Sequence, residues 1–316
     1  MVRALHTTFS CWVFLVFGVG VLLLTPPSEA LSYKKFWHDR SRLGRGRGRH
    51  SDSCRSMGDI LCTRNDVSVL ERRTTDNNIH RLLQFGNECA TQSMVVCKGM
   101  PSCRDCGDCP CAYEASQDLS ASYMRTMFDA LDPWCRRDHA RVLMIGLGGG
   151  ELPLYLLHHC PGMHVEAVEL NEDVIALART YFGVGEAELQ FRERFEVQHN
   201  DSLSAVEARR ATSPDSYDAV LVDCFRAGGE VPEACRSPAF AIGVRMLLRR
   251  DGVMLQNIWH FSDMNAKVAE EYEQTEDTYD DVFAGAIADL PVPMPPGIQW
   301  VDVLRMSKTS ELKTIL

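Results

Sequence analysis

Between Arg141 and His260, short continuous apolar runs alternate with longer stretches in which apolar residues recur at helical spacing. RVLMIGL, HVEAVEL, FEVQHND, YDAVLVDC and GVMLQNIWH predict strands, and LPLYLLHHC, EDVIALARTYF, LSAVEARR and PAFAIGVRMLLR predict the helices between them. Strands that are apolar throughout, rather than at every second position, are covered on both faces. Their strict alternation with helices implies right-handed crossovers, hence an α/β, doubly wound domain on a Rossmann-like parallel sheet.

Upstream the rhythm differs. DVSVLERR (66–73), IHRLLQFG (79–86) and ATQSMVVCKG (90–99) predict short strands parted by the polar turns TTDNN and GNEC, a small antiparallel sheet or hairpin in front of the main domain. SASYMRTMFDAL (120–131) carries Tyr123, Met124, Met127, Phe128 and Leu131 at helical spacing and predicts a packing helix. Beyond His260, DMNAKVAEEYEQTEDTYDDVFAGAIADL predicts an acidic helical region broken near Thr275–Asp281, with GIQWVDVLRM and SELKTIL as two closing strands.

The first thirty residues have a different character: Arg3, an uncharged apolar run from Cys11 to Leu24, then Ser28 and Ala30 spaced as in a cleavage site. That is a secretory signal pattern, and the run is shorter than the ~20 residues a spanning helix needs. Residues 1–30 are therefore expected to be a signal peptide cleaved after Ala30; a retained type II anchor, which would bring the chain to a membrane, is the alternative. Residues 31–56 are basic and glycine-punctuated and predict a flexible linker. The run RGRGR within them also reads as a processing site, a plastid transit segment or a polyanion-binding tail. Residues 1–56 hold nine Lys/Arg against three Asp/Glu, so of a total charge of −10 the rest of the chain carries −16. Such an acidic body argues against nucleic acid as a partner.

Thirteen cysteines are present, and eight lie between 54 and 111. With Cys11 removed in the signal, an even number remains, which together with a secretory signal favours disulfides. CRDCGDCPC (103–111) also has spacing that suits zinc in a reducing compartment. The expected organisation is a Cys-rich β region over 57–118 and the main domain over 119–316.

Candidate chemistry gathers at the carboxyl ends of the predicted strands, where open parallel sheets bind ligands. Gly146, Gly148 and Gly150 follow the first strand, where missing side chains let backbone approach a cofactor. Glu169 ends the second strand, 23 residues beyond Gly146, where ribose hydroxyls need an acceptor. Asp201 with Ser202 follows the third and is positioned for an adenine edge; Asp223 follows the fourth, and Asn257–His260 the fifth. Each has a plainer reading: glycine turns also close helices onto strands, and Glu169 or Asp201 can cap the next helix. No metal is expected in this site.

VLMIGLGGGELPLYL, VEAVELNEDVIALARTYFG, NDSLSAV, YDAVLVDCF and SPAFAIGVRMLLRRDGVMLQNI together resemble the spermidine synthase-like branch of the class I S-adenosylmethionine-dependent methyltransferases, most of all the C-terminal domain of the eukaryotic enzymes that methylate elongation factor 1-alpha. The resemblance covers 141–260 and extends weakly upstream through RLLQFGNECATQS and YMRTMFDAL. It implies S-adenosylmethionine as cofactor, with Gly146, Gly148 and Gly150 along its methionine and ribose portion, Glu169 on the ribose, Asp201 at the adenine amine and Asp223 facing the reaction centre. It further implies an amine or protein methyl acceptor, and a homodimer is common in this branch. Two departures separate methyl from aminopropyl transfer. Aminopropyltransferases of the branch carry an acid in the glycine turn, where this chain has Gly149, and a second acid after the fourth strand, where DCFR has Arg226. A cation there repels a polyamine.

Asn200-Asp201-Ser202 is also an N-glycosylation sequon, in tension with an adenine role for Asp201 in a secreted chain. Three classes therefore stand: a methyltransferase of the secretory pathway, an aminopropyltransferase, and a non-catalytic secreted binding protein in which Cys224 and Cys235 tie down the loop after the fourth strand.

Overall fold

The computed structural model describes residues 58–73, 78–86, 91–98, 106–107, 109–226, 229–259, 266–293 and 301–308. The expected signal and linker, and the expected strand SELKTIL, lie outside the described residues.

An antiparallel sheet in the order β1-β2-β3-β4 comes first, from β1 (Asp59–Arg64), β2 (Val67–Arg73), β3 (Ile79–Phe85) and β4 (Thr91–Cys97). The last three lie where the apolar runs predict them. β1 was not expected, because DILCTR buries two adjacent residues instead of alternating. Its place comes from the tight turn at Asn65, with φ of 51°, from the ladder to β2 and from the Cys62–Cys106 disulfide.

The second sheet has seven strands in the order β10-β11-β9-β8-β5-β6-β7. β5 (Arg141–Ile145), β6 (His164–Glu169), β7 (Phe195–His199), β8 (Tyr217–Val222) and β9 (Leu248–Trp259) run parallel; β11 (Val301–Ser307) is antiparallel to both β9 and β10 (Ile287–Pro291). The helices are α1 (Ser122–Ala130), α2 (Asp132–Cys135), α3 (Glu151–His159), α4 (Glu172–Tyr181), α5 (Val184–Gln190), α6 (Ser202–Thr212), α7 (Pro238–Leu247) and α8 (Ala266–Phe283). Alternate residues of β5 feed opposite cores: Val142 and Met144 pack with α1 and α3, Leu143 and Ile145 with α6, α7 and α8. That two-sided burial is why the strands read as unbroken apolar runs.

The first sheet packs on α4, where Val67, Val69, Ile79, Leu83 and Val95 meet Val174, Leu177, Tyr181 and Phe182. Arg81, fully buried in this interface, donates to Glu71 at 3.0 Å and to the carbonyls of Cys109 and Tyr181 at 3.2 and 3.3 Å. Of the cysteines read above as disulfides or zinc ligands, the described ones form disulfides: Cys62–Cys106, Cys97–Cys111, Cys135–Cys160 and Cys224–Cys235, with Cys109 also disulfide-bonded; Cys54, Cys89 and Cys103 lie outside the described residues.

The tail departs from expectation. α8 runs unbroken through Thr275–Asp281, because Thr275, Tyr279 and Phe283 form a buried stripe one turn apart; the buried Thr275 hydroxyl is satisfied by the Glu271 carbonyl. Helix ends instead at Ala284 and Gly285, both at positive φ, with the Gly285 amide reaching back to the Asp280 carbonyl at 3.0 Å. The closing strands are therefore β10, read above as helix, and β11. Among the described residues no helix is long and apolar enough to cross a membrane.

Candidate active site

The chain runs from β5 outward to β6 and β7, then returns to lay β8 on the other side of β5. This reversal opens a crevice at the carboxyl ends of β5 and β8, the place where doubly wound sheets bind ligands. The loops that meet there are tied by backbone bonds. Gly146 N donates to Val168 O at 2.8 Å, and Asp223 N to Ile145 O at 2.9 Å.

The glycine turn is shaped by close protein neighbours. Gly146 has φ of 92°, and a Cβ on it would lie 2.2 Å from the Asp223 carbonyl oxygen. Gly150, at φ of 80°, would put one 2.5 Å from the Val184 side chain, and Gly148 faces Ser93 of β4. At Gly149 a Cβ would stand 2.8 Å from the Phe182 ring and 2.9 Å from Ser93 Oγ, so the turn has no room for a side chain there. Close protein neighbours thus leave no room for a side chain at Gly146, Gly149 and Gly150. What the turn offers a ligand is the amino end of α3, whose amides have no side-chain cap and which favours anionic groups.

Glu169 faces the turn from β6. Its Oε2 accepts the Leu147 amide and its Oε1 the Asn171 amide, both at 2.9 Å. It does not cap α4; the Asn171 side chain does, accepting from Asp173 N and Val174 N. Each Glu169 oxygen keeps acceptor capacity for a hydroxyl. Leu170 beside it is 67% exposed, an apolar surface at the crevice edge. Asp201 caps α6, accepting from Ser204 N at 3.0 Å, and the bonds to its carboxyl hold its pKa below the ordinary range. Ser202 is nearly covered, and its hydroxyl donates to the Ala234 carbonyl at 2.9 Å. The sequon hydroxyl is thus engaged once the domain is folded.

Asp223 is the most constrained carboxylate. Tyr123, on α1, donates its hydroxyl to Oδ2 at 2.8 Å, and Asn257, on β9, donates its amide to Oδ1 at 2.9 Å. Burial raises the Asp223 pKa; the bonds from Asn257 and Tyr123 oppose the rise and the charge of Glu169 adds to it. A carboxylate so held is a better proton acceptor than a free aspartate. Asn257 falls in the run singled out after the fifth strand, whereas Tyr123 reads in the sequence as a packing residue. It corrects that reading: its ring packs and its hydroxyl crosses to a residue 100 positions away. Next to Asp223, Cys224 is bonded to Cys235, and Phe225 stacks on Trp259 with centroids 4.9 Å apart.

The family described as spermine/spermidine synthase domain matches residues 130–309. Among curated proteins, the eEF1A lysine and N-terminal methyltransferase of Mus musculus is 29% identical over 122 residues, 37% of this chain and 17% of that protein. The polyamine aminopropyltransferase of Chromobacterium violaceum is 31% identical over 174 residues, 55% of this chain and 60% of that one. The chain thus spans less than two thirds of each relative's length. A probable spermidine synthase from Corynebacterium glutamicum superposes with a TM-score of 0.60 at 17% identity, over 82% of this chain and 83% of its own. A spermidine synthase from Thermotoga maritima gives 0.51 at 14%, over 80% and 74%. At these identities the structural likeness speaks for the fold.

Proposed function

Because the chain belongs to the spermine/spermidine synthase domain family, we propose that it is an S-adenosylmethionine-dependent methyltransferase whose acceptor is an amine, free or on a protein. Both methyl and aminopropyl transfer occur among its relatives' names, so the choice rests on the site. The observation that carries it is Gly149. The acid that marks aminopropyltransferases is missing from the turn, and Phe182 and Ser93 occupy the space it needs. Arg226, exposed on the loop after Asp223, further disfavours a polycationic acceptor.

The residues fit this cofactor: spare acceptor capacity on Glu169 for ribose hydroxyls, Leu170 for a face of adenine, and the uncapped α3 terminus for a carboxylate. Gly146, Gly148 and Gly150 shape the turn behind it, and Asp201 with Ser202 borders its adenine end. When bound, the cofactor supplies a methyl group on a sulfonium, which departs as a neutral thioether. Asp223 would take the proton of the acceptor amine and so free its lone pair for methylation. Tyr123 and Asn257 keep that carboxylate aimed, so little reorganisation remains at the moment of reaction. We further propose that the chain works in an oxidising, secretory compartment, a reading supported by the disulfides of the described residues and the signal pattern of the sequence.

Calorimetry with S-adenosylmethionine, its decarboxylated form and S-adenosylhomocysteine tests the assignment. Binding of the first and third is expected. Preference for the decarboxylated form would transfer the assignment to aminopropyl transfer, and binding of none would make the chain a non-catalytic binding protein.

A further inference from the structure

Glu151 opens α3 directly behind the glycine turn and is 5% exposed. It leaves the amides of its own helix uncapped; instead Oε1 accepts the Ser120 amide and Oε2 the Ser120 hydroxyl. Ser120 lies two residues ahead of α1, whose second residue is Tyr123, the donor to Asp223. Contacts therefore run from the turn through Glu151 and Ser120 to Tyr123 and Asp223. A buried carboxylate held by one serine is costly unless it does something that an apolar residue would not.

We infer that Glu151 is a positioning residue: through Ser120 it fixes the start of α1 so that Tyr123 reaches Asp223, and it does so most firmly as a carboxylate. The inference deepens the transferase reading, since it concerns the residue assigned to the acceptor. Bonds to an ionised acceptor are roughly twice as strong as neutral ones, and a carboxylate can receive both Ser120 donors at once. A protonated carboxyl keeps both contacts only with the hydroxyl bond reversed, its own O–H donating to Ser120 Oγ, and both bonds are then of the weaker neutral kind.

The charged and titratable groups facing Glu151 are Arg125 of α1, Tyr113 of the preceding segment and, one turn along its own helix, Tyr155. Arg125 itself donates to Asp118, at 3.3 Å, and to the Leu119 carbonyl, at 3.5 Å. Burial pushes the Glu151 carboxyl up to about 7, against the lowering by the Ser120 bonds and the Arg125 charge. The grip therefore changes within the neutral range.

Carbon-13 NMR titration of Asp223 in the full chain, in wild type, Glu151→Gln, Ser120→Ala and Tyr123→Phe, reads the contact without relying on activity. Loss of the Tyr123 donor raises the Asp223 midpoint, and Glu151→Gln and Ser120→Ala are expected to move it the same way. An unmoved midpoint in both, with a shift in Tyr123→Phe, overturns the inference. In the transfer assay, Glu151→Gln is expected to lower kcat about tenfold at pH 8 and to lose the limb near neutrality. Wild-type kcat and pH profile in Glu151→Gln would also overturn it. A wild-type chain without transfer, whose Asp223 midpoint still answers to Glu151, would sink the methyltransferase reading and leave this inference standing.

Discussion

Asp223 concentrates the chemistry of the crevice in one carboxyl with two donors. Hydrogen bonds to the ionised form lower a pKa, so removing one raises it. Tyr123→Phe is therefore expected to move the acid limb of the pH-rate profile to higher pH and to lower kcat/KM by about 10–100-fold. A limb that stays in place would remove Tyr123 from the site. Asp223→Ala should abolish turnover while cofactor affinity is largely kept, and Glu169→Ala should weaken cofactor binding; calorimetry paired with kinetics checks the ranking. Gly149→Ala forces a methyl group against Phe182 and Ser93, an overpacking expected to cost about 1–3 kcal/mol in a denaturant titration. Phe182→Leu in the same chain should return part of it. Asp223 and Glu169 were legible in the sequence because an acid at a strand's carboxyl end has few apolar-core explanations. Tyr123 was not: on an amphipathic helix a tyrosine looks like any packing residue, and its hydroxyl partner is set by how α1 crosses the sheet.

At the scale of elements, the disulfides should separate stability from function. Cys160 ends α3 at the end opposite the glycine turn, so replacing Cys135 and Cys160 by alanine is expected to lower stability by about 3 kcal/mol and leave KM values unchanged. Cys224 adjoins Asp223, and Cys235 lies 3.3 Å from the Ser202 hydroxyl. Replacing that pair should therefore change KM for cofactor and acceptor as well, which steady-state kinetics on both variants compares. Glu71→Ala would strand the buried Arg81 charge between the first sheet and α4, at a cost of about 3–5 kcal/mol by chemical denaturation. Period and apolar runs located β2 to β9 and most helices. They failed at β1, at α5 and in the tail, where short or acidic segments take their state from a ladder, a cap or a buried stripe.

For the whole molecule, Glu151 sets a pH term whose sign runs against its positioning role. Its folded value, about 7, lies above the ordinary 4.5, so the stability it contributes is complete below about 4.5 and is lost as pH rises through 7. Glu151→Gln lacks this dependence, and its Tm relative to wild type should rise between pH 5 and pH 8; a parallel pair of curves would reject the burial of this charge. The native state thus gives up stability at the pH where the grip on Ser120 is firmest.

The sequence by itself determined the doubly wound class, the crevice to search and the strand-end acids, because continuous apolar runs, glycine turns and isolated carboxylates are local signals with few competing explanations. The tertiary structure alone decided the rest. The same glycines turned out to be closed by Phe182, Ser93 and Val184, and Asp201 and Ser202 are engaged at the start of α6. Asp223 draws its partners from α1 and β9, and Glu151 joins α3 to α1. Each of these depends on distances between residues far apart in the chain, which only the crossing of the sheets and helices sets.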